Sequence, residues 1–149
     1  MIGLGCDAAG FGLMKEIKAY LQRNGLEYKD YGTFSEDPCD YPVYAEKVAR
    51  AVLDGECDKG ILICGTGIGI SITANRFAGI RCALVHDVFS AKSTRSHNDS
   101  NILAMGGRVI GAGLALEIVD TWLNEAFSGE VRHQRRIDMI DGLTDSQNS

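Results

Sequence analysis

Hydrophobic residues in this chain alternate between short continuous runs and longer stretches with helical spacing. The short runs have the length of buried β-strands, and the longer stretches place apolar side chains three and four positions apart, as in amphipathic helices. The runs predict strands over 2–6, 27–31, 60–64, 80–85 and 101–105. The helical pattern predicts helices over 11–23, 43–53, 68–77, 87–97 and 112–126, and a last short helix and tail over about 137–149, frayed from Thr144.

This alternation of strands and helices predicts the fold class. Short apolar strands separated by helices form a parallel sheet that is covered on both faces. With right-handed crossovers, the expected fold is α/β: a doubly wound, five-stranded parallel sheet in a Rossmann-like or flavodoxin-like α/β/α sandwich. At 149 residues the chain fits one domain, 1–149. Residues 32–42 contain both prolines and are predicted to be an irregular loop.

Charge and hydropathy narrow the classes of partner. No apolar run approaches the roughly 18–20 residues that span a bilayer, and the chain opens directly into a strand-like run without the charged segment of a signal peptide. We therefore expect a cytoplasmic protein with no membrane partner. The formal net charge of −5 disfavours nucleic acid, which requires a basic face, but it allows a small phosphorylated ligand held by a few arginines.

The five cysteines do not form a recognisable metal or disulfide pattern. Their number is odd and none lie at Cys-x-x-Cys spacing, which argues against a zinc ribbon, a thioredoxin-type pair and a disulfide scaffold. We interpret Cys6, Cys57 and Cys82 as small buried hydrophobes. The sequence also lacks a His/carboxylate cluster, so neither a metal nor another cofactor is expected.

The most informative stretch is Gly60–Ser71, in which a strand-like run ends at Cys64 and is followed by three alternate glycines and a helical pattern. A strand, a Gly-rich turn and a helix in succession direct several backbone N–H groups at one spot. That spot is suited to an anion or a developing oxyanion, and the same dipoles favour a thiolate at Cys64. The glycine spacing matches neither nucleotide fingerprint, and Ile70 stands where a cysteine phosphatase would need arginine.

Two single residues and one pair of arginines also carry candidate chemistry, each with a structural alternative. His97 is suited to proton transfer near neutral pH, or it is a solvated helix end. Arg132 and Arg136 are four residues apart, so on a helix they share a face and hold one phosphate, or they form an exposed basic patch. Asp7, which follows the first strand, is either a helix cap or a ligand for sugar hydroxyls.

Together these parts suit aldose–ketose isomerisation of a phosphorylated sugar without metal: a base, N–H donors for an enediolate, a ring-opening group and arginines for phosphate. A non-catalytic sugar-phosphate sensor on the same fold would need neither Cys64 nor His97. A receiver-like signalling module needs aspartate at the position of Cys64. A nucleotide-binding protein lacks its fingerprint here.

The motifs resemble those of a known enzyme family almost from end to end. They are Gly-Cys-Asp at 5–7, Asp-Tyr-Pro at 40–42, the block at 63–71, Ala-Asn-Arg-Phe-Ala-Gly-Ile-Arg at 74–81, Ser-His-Asn-Asp at 96–99 and Arg-His-Gln-x-Arg at 132–136. This pattern resembles type B ribose-5-phosphate isomerases and the related galactose-6-phosphate isomerases. The resemblance implies a homodimer or a dimer of dimers, with active sites at the subunit interface.

The resemblance also implies a role for individual residues. Cys64 would be the base that moves the proton between C1 and C2, Thr66 would assist, and His97 would open the sugar ring. The implied contacts to substrate are the oxyanion loop Gly65, Gly67, Ile68 and Gly69, the hydroxyl-binding Asp7, Tyr41 and Asn98, and Arg108, Arg132 and Arg136 at the charged end.

Ala8 departs from the family pattern, because members commonly carry histidine at this position. Asp-Ala-Ala-Gly at 7–10 is similar to one subunit type of galactose-6-phosphate isomerase, and alanine frees volume beside the substrate. Ribose 5-phosphate is the leading substrate that we expect. The alternatives are galactose or allose 6-phosphate and a tetrose phosphate.

Overall fold

A computed structural model of the protein describes the backbone of residues 1–148 and the side chains of residues 1–143. All five strands are parallel and lie in the order β2-β1-β3-β5-β4, which confirms the predicted doubly wound sheet. The strands are β1 Ile2–Cys6, β2 Tyr28–Asp30, β3 Lys59–Cys64, β4 Cys82–Leu84 and β5 Ile102–Gly106. The helices are α1 Phe11–Arg23, α2 Tyr41–Leu53, α3 Ile68–Ala74, α4 Val88–Asn98, α5 Ala112–Asn124 and α6 Val131–Asn148, and a 3-10 turn, Ala8–Gly10, precedes α1.

Helices cover both faces of the sheet. Side chains of β3 alternate between the two layers, because successive residues of a strand point to opposite faces. Ile61 and Ile63 belong to the core that the sheet forms with α1, α4 and α5, whereas Leu62 and Cys64 belong to the core formed with α2 and α3. Cys64 thus points toward α2 and α3 at the carboxyl end of the central strand.

The predicted loop over 32–42 is two residues too long. α2 begins at Tyr41, with Pro42 in its first turn. Proline is tolerated there because the first N–H groups of a helix have no intrahelical partner. Pro42, which in the sequence predicts irregular structure, therefore lies in the first turn of a helix.

The predicted strand over 80–85 is shorter, since its first part bonds to a side chain. The amide of Asn101 accepts from the N–H of Arg81 at 2.8 Å and donates to the carbonyl of Gly79 at 2.9 Å. The Asn75 amide pairs in the same way with both backbone groups of Cys82. The Asn101 side chain thus takes the place of a backbone partner just before the strand begins at Cys82, whereas the Asn75 side chain covers the outer edge of the strand at Cys82 itself.

The C-terminal helix is longer than predicted. α6 begins at Val131, so the basic segment 132–136 lies within it, and the helix extends through the residues expected to fray from Thr144 to Asn148. Ser149 lies outside the described residues. His133 and Ile137 are buried at i and i+4, and this narrow contact line fixes the start of α6 on the body of the molecule.

Candidate active site

A cleft of about 770 Å³ opens at the carboxyl ends of β1 and β3. The chain leaves β1 for β2 on one side and returns to β3 on the other, so the cleft lies at the topological switch point of the sheet. It brings together nine of the predicted site residues: Asp7, Ala8, Tyr41, Cys64, Gly65, Thr66, Ile68, Gly69 and Arg108.

Cys64 is the last residue of β3, and only 4% of its surface is exposed. The backbone N–H of Gly67 donates a hydrogen bond to its Sγ atom at 3.1 Å. A donor aimed at sulfur stabilises negative charge there, as does the nearby start of α3, whose first N–H groups have no intrahelical partner. The local geometry is that of a nucleophile or base.

Gly67 is required by this turn. Its φ of +77° lies in the left-handed region, and a Cβ atom would fall 2.6 Å from Cδ1 of Leu84 and 2.7 Å from the backbone carbon of Met105. Glycine alone allows both the left-handed conformation and this close approach. The turn that aims its N–H at Cys64 is therefore closed to other residues.

The neighbouring glycines leave room for two predicted substrate contacts. A Cβ on Gly69 would lie 2.4 Å from Cζ of Tyr41, so the phenol ring rests directly on this glycine. On the other flank, a Cβ on Gly65 would lie 3.6 Å from both the Cβ of Ala9 and the Cδ of Arg108. Arg108 also donates its backbone N–H to the Gly65 carbonyl at 3.0 Å. Tyr41 and Arg108 thus lie against the same loop.

Asp7 serves as a cap as well as a cleft residue. Its Oδ1 accepts from the N–H of Gly10 at 3.0 Å and caps the N-terminus of the 3-10 turn after β1. The cap orients the carboxylate at the cleft, where Ala8 follows it with a methyl group only. The two interpretations of Asp7 from the sequence, a helix cap and a ligand for sugar hydroxyls, therefore do not exclude each other.

The remaining predicted residues lie outside this cleft. His97 and Asn98 are exposed at the end of α4, and Arg132 and Arg136 are exposed on the first two turns of α6. The two arginines share one helical face, as their spacing predicts, and Nε of Arg132 donates to Glu130 at 2.7 Å. The predicted site residues thus fall into two groups, one that lines the cleft and one on α4 and α6.

Sequence reasoning missed several residues of both groups. Glu36, Pro38 and Cys39 from the loop after β2, together with Ala9 and Ile72, also line the cleft. His133 was noted only as part of a basic segment, yet it is buried against His97 with 4.4 Å between ring centroids. Its i, i+4 relation to the apolar Ile137 is the signal that marks it as inward-facing.

Cys6, Cys57 and Cys82 do not line the cleft; Cys6 and Cys57 are buried as predicted, whereas Cys82 is only partly buried. Burial raises the pKa of Cys6 to about 12, and burial likewise raises the pKa of Cys82 to about 12. Both therefore stay protonated thiols near neutral pH. No helix among the described residues has the length and apolar character needed to cross a membrane.

The fold and the cleft define a class: doubly wound α/β proteins with a ligand cleft at the switch point, here holding a cysteine beside a glycine-rich loop. Residues 2–140 match the family model described as Ribose/Galactose Isomerase. The chain belongs to this family.

Individual relatives agree with this membership. The chain is 51% identical over 147 residues to Ribose-5-phosphate isomerase B of Escherichia coli, covering 99% of this chain and 98% of the relative. It is 45% identical to D-erythrulose-4-phosphate isomerase of Pectobacterium atrosepticum, over 86% of this chain and 85% of that one. The structure of Ribose-5-Phosphate Isomerase B from Clostridium thermocellum superposes with a TM-score of 0.96 at 49% identity, covering 99% of both chains.

Proposed function

We propose that the protein is a metal-independent aldose–ketose isomerase of sugar phosphates that interconverts ribose 5-phosphate and ribulose 5-phosphate in the cytoplasm. The observation that carries the proposal is the hydrogen bond from Gly67 N–H to the Cys64 sulfur in a cleft of suitable size. Family membership and the identity to Ribose-5-phosphate isomerase B support the choice of substrate.

The reaction begins with ring opening. The bond from C1 to the ring oxygen breaks, the ring oxygen gains a proton, and the C1 hydroxyl loses one, which leaves an open-chain aldehyde. His97 supplies and accepts these protons. Cys64 then removes the C2 proton as a thiolate, and the electron pair moves toward the C1 oxygen to form an enediolate. The C2 hydroxyl proton passes to the C1 oxygen, the C2 carbonyl forms, and return of the carbon-bound proton from Cys64 to C1 gives the ketose.

The other residues bind and orient the substrate. Backbone N–H groups of residues 65–69 stabilise the enediolate oxygens, and Thr66 assists beside Cys64. Asp7, Tyr41 and Asn98 contact sugar hydroxyls. Arg108, Arg132 and Arg136 hold the phosphate, for which the guanidinium group is well matched.

A second copy of the chain completes the site in this proposal, as a homodimer or a dimer of dimers. The ring-opening and phosphate-binding groups on α4 and α6 lie away from the cleft of their own subunit. Exposed apolar side chains surround the cleft and mark a surface for association: Ile68 at 50%, Ile72 at 59%, Leu84 at 41% and Val109 at 53% exposure.

A second substrate remains a specific alternative because of Ala8. Its methyl group lines the cleft next to Asp7, and a relative at 45% identity acts, by its name, on a tetrose phosphate. A tetrose 4-phosphate is open-chain, because its fourth oxygen carries the phosphate, and so requires no ring opening.

The test is aldose–ketose interconversion with ribose 5-phosphate and with four- and six-carbon sugar phosphates, in the presence of a metal chelator. We expect ribose 5-phosphate to turn over, and we expect Cys64→Ala to lower kcat by about 10³-fold or more. Cys82→Ala removes a thiol distant from the cleft and is the matched control, with unchanged kcat. Wild-type turnover that survives Cys64→Ala would contradict the proposed base.

A further inference from the structure

His133 is a buried histidine that the proposed reaction does not use. Its side chain is 7% exposed, whereas the ring of His97 that it contacts is exposed. The two ring centroids are 4.4 Å apart and the planes are tilted by 33°. An exposed histidine at a helix end can adopt several rotamers unless a neighbouring side chain restricts them. For His97 that neighbour is His133.

A network of hydrogen bonds fixes His133. Its Nδ1 lies 2.7 Å from Oγ of Ser128, and the same Oγ accepts from the N–H of Glu130 at 3.2 Å. The Ser128 hydroxyl proton is thus available for Nδ1 of a neutral His133, which places the ring proton on Nε2. Ser128 in turn donates its N–H to the carbonyl of Ser96 at 3.0 Å. These hydrogen bonds therefore connect His133 through Ser128 to the backbone of α4, one residue before His97.

We infer that His133 is a positioning residue that holds the His97 ring in the orientation for proton transfer to the sugar, with Ser128 as its anchor. The inference rests on the proposed function, in which His97 opens the ring. α4 carries the exposed His97 ring, and the buried His133 ring of α6 packs behind it and limits its rotation. A fixed ring transfers a proton with less loss of orientation than a freely rotating one.

The charges around His133 favour a neutral ring at this position. Burial and the neighbouring His97, Arg132 and Arg136 lower the pKa of His133, while Glu130, 3.9 Å from Nδ1, opposes the shift. The lowered pKa favours the neutral form of the His133 ring. Two imidazolium rings in contact would repel each other.

Kinetics of four variants test the assignment. His133→Ala is expected to lower kcat for ribose 5-phosphate about tenfold with KM within about twofold, and Ser128→Ala about threefold. His133→Phe keeps a ring against His97 and should recover most of the loss. Arg135→Ala, an exposed change on the same helix, is the matched control with wild-type kinetics.

Deuterium exchange separates positioning from general damage. Ribulose 5-phosphate is open-chain, so exchange of its C1 proton in D₂O requires Cys64 and the enediolate but no ring opening. We expect His133→Ala to keep this exchange within about twofold of wild type, whereas Cys64→Ala loses it. The His97 ring resonances should also shift in His133→Ala, because the ring current of its neighbour is gone, and this readout does not depend on turnover.

Three results would overturn the inference. Unchanged kcat and unchanged His97 resonances in His133→Ala would remove the positioning role while the proposed function stood. A loss as large as that of His97→Ala would make His133 the proton-transfer group itself. A parallel loss of turnover and exchange would make its role structural. Absence of wild-type turnover would instead overturn the proposed function. In that case the His97 resonances of His133→Ala would still show whether the two rings are in contact.

Discussion

At the scale of single residues, the turn at Gly67 has the most demanding geometry in the cleft. We predict that Gly67→Ala lowers the free energy of unfolding by at least about 2 kcal/mol, because a Cβ is strained at this φ and meets Leu84 and the backbone of Met105. It should also lower kcat more than its stability loss explains, since the donor to Cys64 moves. Denaturant unfolding and kinetics at low temperature measure the two effects.

Gly12→Ala is the matched control. A Cβ on Gly12, near the start of α1, meets no atom within 4 Å. Alanine there should leave activity unchanged and stabilise the protein by a few tenths of a kcal/mol to about 1 kcal/mol. Equal effects of the two substitutions would show that the geometry at Gly67 has no special role.

Ala8 gives a prediction about substrate choice. Ala8→His adds a bulky, ionisable ring beside Asp7 in the cleft. We expect the ratio of kcat/KM for ribose 5-phosphate to that for hexose phosphates to rise by about tenfold or more, because the added ring fills the volume that admits a longer sugar. Profiling wild type and variant on the same panel measures it, and an unchanged preference would show that position 8 does not select substrate.

The positions of residues at strand ends were predictable from the sequence. Cys64 ends β3, and the glycines after it and Asp7 follow strands directly, so the parallel fold brings them together at one edge of the sheet. His133 was not predictable as a partner of His97, because 36 positions separate them and the contact depends on how α6 docks on α4. The same holds for Cys39, which reaches the cleft from an irregular loop.

At the scale of elements, α4 carries His97 and Asn98, and its N-terminus is capped by Asp87. The carboxylate accepts from the N–H of Ser90 at 2.7 Å, and this hydrogen bond lowers the pKa of Asp87 below its ordinary value of 3.8. A lowered folded-state pKa means that the stabilisation is present above pH 3.8 and is lost as the pH falls through the folded value.

We predict that Asp87→Ala lowers Tm at pH 7 and that the difference from wild type shrinks below about pH 4, where the wild-type carboxylate becomes protonated. Asp87→Asn keeps a capping side chain without the charge and should lie between the two at pH 7. Thermal unfolding from pH 7 to pH 3 measures the series. A constant Tm difference across this range would contradict the cap's ionic contribution.

Element types were predictable, but several boundaries were not. The helices α1 and α4 match their predicted extent closely, since an Asn-Gly pair and an aspartate cap punctuate them. The start of β4 is later than predicted because the side chain of Asn101, and not a backbone partner, bonds to the N–H of Arg81 and the carbonyl of Gly79. Such side-chain substitutions for backbone partners depend on tertiary position, which periodicity does not report.

At the scale of the whole molecule, the proposed site shared between two copies of the chain predicts complementation between variants. A heterodimer of Cys64→Ala and His97→Ala subunits should contain one intact site and show about half of wild-type activity per dimer. Co-expression with two different tags and tandem purification isolates it. Each variant alone should be nearly inactive.

The control pairs a double variant, Cys64→Ala with His97→Ala in one chain, with a wild-type chain. A shared site then leaves one defect in each of the two clefts, so this heterodimer should be nearly inactive. A site built within one subunit predicts the reverse pattern, with activity in the control and none in the mixed heterodimer. The pair of measurements therefore has no ambiguous outcome.

His97 and the arginines on α6 are exposed and lie away from the cleft of their own chain. In the proposed shared site, activity should therefore depend on protein concentration. A protein whose reaction centre forms only on association loses specific activity when it is diluted below its dimer dissociation constant. A sugar phosphate that contacts both subunits would bind the assembled form alone, so saturating substrate should shift that dilution curve to lower protein concentration. By this linkage the metabolite would itself help to hold the subunits together.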